Sequence, residues 1–65
     1  MSGLNHGSYA SVGDYVQLIN PAGELCDVYG LVYKVERDGN RYLHVQGQPN
    51  RIKDCYVNII SRAQG

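Results

Sequence analysis

The residues of this sequence best able to do chemistry are Cys26, Cys55, His6 and His44, with Asp54 immediately before the second cysteine. A thiol nucleophile activated by imidazole would need Cys55 and His44 brought together. Two features argue against it. An adjacent aspartate opposes the thiolate and raises a thiol pKa, and Cys55 falls in a short turn expected to pack its residues into the end of a small β-barrel. The cysteines and histidines lack the spacing of a zinc site. With no signal-peptide pattern ahead of them, the two cysteines read as reduced thiols rather than a disulfide. Phosphate-cradling glycines are missing too, because "GQPNRIK" does not carry the GxxxxGK[ST] spacing. The chain therefore reads as non-enzymatic, with neither a metal nor a cofactor.

Recognition is the better-supported chemistry. Six tyrosines, with no Phe or Trp, supply rings that are apolar on the face and polar at the tip. Tyr33, Tyr42 and His44 flank the turn at the centre of "VYKVERDGNRYLHV", and Val35 lies beside them. Arg51 and Lys53 are two apart, so on a strand both point the same way and can adjoin that face. The expected binding set is thus Tyr33, Tyr42, His44, Val35, Arg51 and Lys53. Rings next to positive charge suit single-stranded nucleic acid or an acidic peptide segment. A half-covered sheet face or an interface between copies of the chain uses the same residues.

Strands must place these side chains. "GDYVQLI" alternates, sending Val16 and Leu18 to one face and Tyr15, Gln17 and Ile19 to the other. "NPAGE", residues 20–24, ends that strand. "LCDVYGLVYKVER", residues 25–37, is β-branched and aromatic throughout, with Gly30 predicting a bulge or bend that lets one strand serve two sides of a barrel. Asp38–Gly39 is a hairpin signal of the type I′ kind, in which both central residues need positive φ. That loop sets Glu36 against Arg41, Val35 against Tyr42, Tyr33 against His44 and Val32 against Val45, with the Glu36–Arg41 charges matched. Then come a turn at 47–50, a short "RIK" strand, a single 3₁₀ turn at "DCYV" and a closing "NII" strand. Val16, Leu18, Val28, Val32, Leu43, Val45, Ile52, Val57 and Ile59 form the expected core.

Sixty-five residues make one small domain, close to the size at which a single core only just suffices. Residues 1–11 read as a flexible N-terminal tail, 12–61 as the barrel and 62–65 as a C-terminal tail. Six Lys and Arg balance six Asp and Glu, so no net field draws the chain onto a phosphate backbone or an anionic membrane. No apolar run approaches the roughly 20 residues of a membrane span. The chain reads as soluble and cytoplasmic.

"VGDYVQL", "YGLVYKV", the "DGN" hairpin and "RIKDCYVNII" together resemble the SH3-like barrels of the KOW and Tudor kind, over about residues 12–61. The resemblance implies an all-β, five-stranded SH3-like barrel with a short 3₁₀ turn before the last strand. Gly13, Asp14 and Val16, with Gly30 to Val32, are also similar to the type II dihydrofolate reductases, barrels of similar length with an N-terminal tail. Members of that family bind folate and cofactor through a Val-Gln-Ile-Tyr run on a late strand. Here the corresponding residues are Ile52, Lys53, Asp54 and Cys55, so the resemblance does not carry the active-site run.

Three functions follow in order. The first is a non-enzymatic module that binds a protein partner or itself through the Tyr33, Tyr42 and His44 face, in the style of a phage or mobile-element accessory protein. The second is an RNA- or DNA-binding barrel using Arg37, Arg41, Arg51 and Lys53 with the tyrosines. A reductase-like enzyme comes last.

Overall fold

The computed structural model describes residues 9–63. In chain order these form β1 (Tyr15–Ile19), β2 (Leu25–Asp38), β3 (Asn40–Val45), β4 (Ile52–Lys53), a 3₁₀ turn at Asp54–Tyr56, and β5 (Val57–Ser61). All pairings are antiparallel, and the strand order is β4-β3-β2-β1-β5. The all-β expectation, with five strands and a 3₁₀ turn before the last, describes this fold. The pairings establish one sheet with β4 and β5 at its two ends.

β2 holds the sheet together because it is long enough to have two partners. Between Leu25 and Leu31 it pairs with β1, and from Val32 to Asp38 it pairs with β3. Gly30 lies at the changeover. A Cβ there would come within 2.6 Å of Val45 Cγ1 and 2.8 Å of the Gln46 carbonyl oxygen, so the close approach of the two strands requires glycine. The bulge itself is displaced from Gly30 to Tyr33, between the Val32–Val45 and Lys34–His44 pairs. This placement has a packing cause. Val32 and Val35 both pack on the core although they are three residues apart, and a strand of strict period 2 would send them to opposite faces.

Ala10, Val16, Val32, Leu43 and Val45 are buried, with Leu18, Val35, Ile52, Val57 and Ile59 packed against them. Two core expectations change. Val28 is exposed, because β3 runs alongside β2 only from Val32 onward. Ala10, assigned to the tail, is only 2% exposed, so packing starts before Val12. Residues 1–8 of the expected tail and 64–65 lie outside the described residues.

The ends of the described chain meet at Asp14, whose side chain is almost completely buried. Its carboxylate accepts hydrogen bonds from the backbone N–H of Ser11 and of Ala63, both at 2.8 Å, and Arg62 Nη1 lies 3.6 Å away. The neighbouring backbone continues the join, with Gly13 N donating to Val32 O and Val32 N to Asp14 O. Gly13 takes φ of 96°, a left-handed conformation that glycine adopts without a steric penalty.

Candidate interaction surface

The hairpin register decides which side chains share a face. Among the described residues none other than glycine has positive φ, so Asp38 does not enter the type I′ turn, and Gly39 alone, at φ 77°, reverses the chain. Pairing therefore runs one step away from the expected register: Arg37 faces Arg41, Glu36 faces Tyr42, Val35 faces Leu43 and Lys34 faces His44. Only Val32 and Val45 keep the expected pairing, the Tyr33 bulge having absorbed the difference.

The step moves Val35 off the expected surface. Opposite the fully buried Leu43, it packs on the core side and does not join Tyr33 and Tyr42. Glu36 takes the outward position instead and becomes the hub. Its Oε1 accepts from His44 Nε2 at 2.8 Å, and its Oε2 accepts from Arg51 Nη1 at 2.9 Å. Arg51 also donates to Asp38 Oδ2 at 3.3 Å, while its guanidinium lies 3.9 Å over the Tyr42 ring. Tyr33 meets the His44 ring at 6.0 Å between centroids, tilted by 54°. Lys53 pairs opposite Tyr42 and is exposed. Five of the six expected residues, Tyr33, Tyr42, His44, Arg51 and Lys53, thus come together on one side of the hairpin.

The electrostatics follow from these contacts. The hydrogen bond from His44 holds the Glu36 carboxyl below its ordinary 4.5; partial desolvation opposes this, and the charges of Arg51, His44 and Lys34 assist it. For Arg51, desolvation pulls the pKa down, but the Asp38 hydrogen bond and the charges of Glu36 and Asp38 outweigh it, so the value is raised. The charge of Arg51 is thus met within the cluster by two carboxylates, Glu36 and Asp38.

An apolar stretch adjoins this cluster. Tyr29, Leu31 and Tyr33 occupy successive outward positions of β2 and are 44%, 41% and 51% exposed. Tyr15, opposite Leu31 on β1, is 39% exposed and stacks on Tyr29 with centroids 6.1 Å apart and planes 7° from parallel. Behind them Gln17, buried, donates to Cys26 O at 3.0 Å and reaches the Tyr29 hydroxyl at 3.3 Å. Sequence reasoning placed Tyr15 and Gln17 on one face but did not extend the surface to Tyr29 and Leu31. Their two-residue spacing before Tyr33 was the available signal.

The four cations assigned to the nucleic-acid reading do not share a face. Arg51 and Lys53 stand with Tyr42, whereas Arg37 and Arg41 face each other on the opposite side of the hairpin. Arg41 lies 3.8 Å by its Nε from Asp54 Oδ2, in place of the expected pairing with Glu36. Both cysteines carry free thiols, and the expectation that Cys55 packs into the fold is corrected: it is exposed on a 3₁₀ turn that has no buried residue. No group of three or more His, Cys, Asp or Glu among the described residues could hold a metal ion. No described helix is long and apolar enough to cross a membrane. The chain matches no protein-family model, no curated protein and no solved structure.

Proposed function

We propose that this chain is a non-enzymatic interaction module that docks on a protein surface through the outward face of β2 and β3. The carrying observation is the exposed row Tyr29, Leu31 and Tyr33, flanked by Tyr15 and bordered by the His44, Glu36 and Arg51 cluster. An apolar, tyrosine-rich centre with a polar rim is the composition that protein interfaces favour, since tyrosine buries a large rigid area at low entropic cost. In this reading the five-stranded sheet is an SH3-like barrel of the KOW and Tudor kind working in the cytoplasm. An accessory role in a phage or mobile element belongs to the same proposal.

The face serves either a different protein or a second copy of the chain, and mass in solution separates the two. Sedimentation of the wild type beside Tyr33→Ser and Leu31→Ser is the test. A dimer or tetramer that dissociates in both variants assigns the face to self-association. A monomer in all three leaves it for a heterologous partner, and an oligomer that neither substitution weakens would overturn the use of this face.

Nucleic-acid binding is the second reading, supported by the Arg51 guanidinium over Tyr42. It is disfavoured because Arg51 already serves two carboxylates, which a phosphate would have to displace. Affinity for a single-stranded oligonucleotide that falls steeply with salt would reinstate it.

A further inference from the structure

We propose that the hairpin tip carries a second, independent binding site, a pocket for the phosphoryl group of a small phosphate monoester, on the side of the hairpin away from the tyrosine row. The pocket is a cleft of about 400 Å³ lined by Tyr9, Arg37, Gly39, Asn40, Arg41 and Asp54. That volume is within the range used for small-molecule ligands, roughly 300 to 1,000 Å³.

Charge is the main argument. Arg37 and Arg41 are direct cross-strand partners, an arrangement that is repulsive unless something negative lies between or beside them. The one carboxylate of the pocket, Asp54, lies near Arg41 at 3.8 Å. Arg37 has no hydrogen-bonded or ion-pair partner among the described residues, although Arg41, Arg51 and Arg62 each have a carboxylate within 4 Å. Two guanidiniums against a single carboxylate leave the cleft with an excess of one positive charge.

The site is also partly organised in advance. Arg41 Nη2 donates to the carbonyl of Ala10 and lies 3.5 Å from Ser11 Oγ, while its Cζ sits 5.4 Å from the Tyr9 ring centroid. These contacts fix the side chain before any ligand arrives, which lowers the entropic cost of binding. Arg37 is exposed and free to close on the ligand from the other side. Planar guanidiniums bind tetrahedral oxyanions by paired N–H donors, and the phosphoryl group of a monoester offers two facing guanidiniums three unesterified oxygens, where a carboxylate or a phosphodiester offers two. Tyr9, exposed at the rim, offers an apolar wall for an organic group on the ester.

The experiment is an amide chemical-shift titration of the full chain with inorganic phosphate, phenyl phosphate and an octathymidylate single strand, read at Gly39, Asn40 and Arg41. Saturable shifts at these amides are expected with phenyl phosphate, and more weakly with inorganic phosphate. Arg37→Ala and Arg37→Gln should each weaken phenyl phosphate about tenfold, the size of one lost charge-assisted contact. Lys34→Ala, on the other face, should leave it unchanged. Three results would overturn the proposal. One is the absence of saturable shifts at the tip, and another is equal weakening by Lys34→Ala and Arg37→Ala, which marks a diffuse surface field. The third is tighter binding of the oligonucleotide with shifts spread beyond the pocket, which makes the source a nucleic-acid backbone.

Discussion

Asp14 and Glu36 are carboxylates that each gather donors from separated parts of the chain, yet they work in opposite solvent regimes. The Asp14 side chain is 3% exposed and accepts from the backbone N–H of Ser11 and Ala63. Glu36 is 35% exposed and accepts from the side chains of His44 and Arg51. The Asp14 carboxylate is almost wholly shut off from water and depends on those two amides for its hydrogen bonds, whereas Glu36 keeps about a third of its surface in solvent. The same functional group therefore closes the fold in one place and decorates a contact surface in the other.

Asp14→Ala should break that comparison most sharply. It removes an anionic acceptor from two backbone donors and takes from Arg62 its carboxylate neighbour, leaving it the Tyr9 carbonyl, for a loss of about 3 kcal/mol. A 65-residue domain has roughly 3 to 10 kcal/mol in total, at 0.05 to 0.15 kcal/mol per residue. Chemical denaturation should therefore find a variant that has lost roughly a third or more of its stability, and a loss under about 1 kcal/mol would mean that the two N–H groups find other acceptors.

Gly13→Ala attacks the same junction without touching the carboxylate. A side chain at φ 96° is strained, and its Cβ would lie 2.8 Å from Ala63 Cβ. The expected cost is about 2 kcal/mol, seen as a fall in melting temperature of roughly 4 to 8 °C for each kcal/mol. Wild-type stability in this variant would show that the turn can be rebuilt without its left-handed residue. Arg62→Ala asks how much of the Asp14 effect is ionic. Arg62 is 51% exposed, so the pair is screened, and a loss of about 0.5 kcal/mol is expected. A loss as large as that of Asp14→Ala would shift the weight from the backbone donors to the ion pair.

The contrast also explains which parts of the molecule were legible in the sequence. The five strands, the 3₁₀ turn and most of the core follow from period-2 alternation punctuated by Pro21, Gly23, Gly39 and Pro49, because those signals are local. The Asp14 junction joins residues 49 apart, and nothing local in "VGDYV" announces a partner at Ala63. The candidate site was legible in five members and misread in one for a single physical reason. Reading Asp38–Gly39 as a two-residue turn put Asp38 at positive φ, whereas the chain reverses at Gly39 alone, and the one-step difference exchanged Val35 for Glu36. The compensating bulge at Tyr33 is a tertiary effect, forced by Val32 and Val35 both packing inward, and local alternation does not encode it.

Glu36→Gln gives the smallest expected effect and the most specific one, because it is read as a pH dependence rather than as a loss at one pH. The folded-state pKa of Glu36 lies below 4.5, chiefly through the hydrogen bond from His44. A carboxylate whose pKa is depressed on folding contributes stability that is fully present above its unfolded value and disappears as pH falls through the folded value. The melting temperatures of wild type and Glu36→Gln should therefore differ above pH 4.5 and converge below it. The side chains that Glu36 holds are exposed enough to be rehydrated, so the difference should stay smaller than that of any Asp14 junction variant. A difference that persists unchanged through the acid range would show that the wild type does not use the ionised carboxylate, and the contrast with Asp14 would then rest on burial alone.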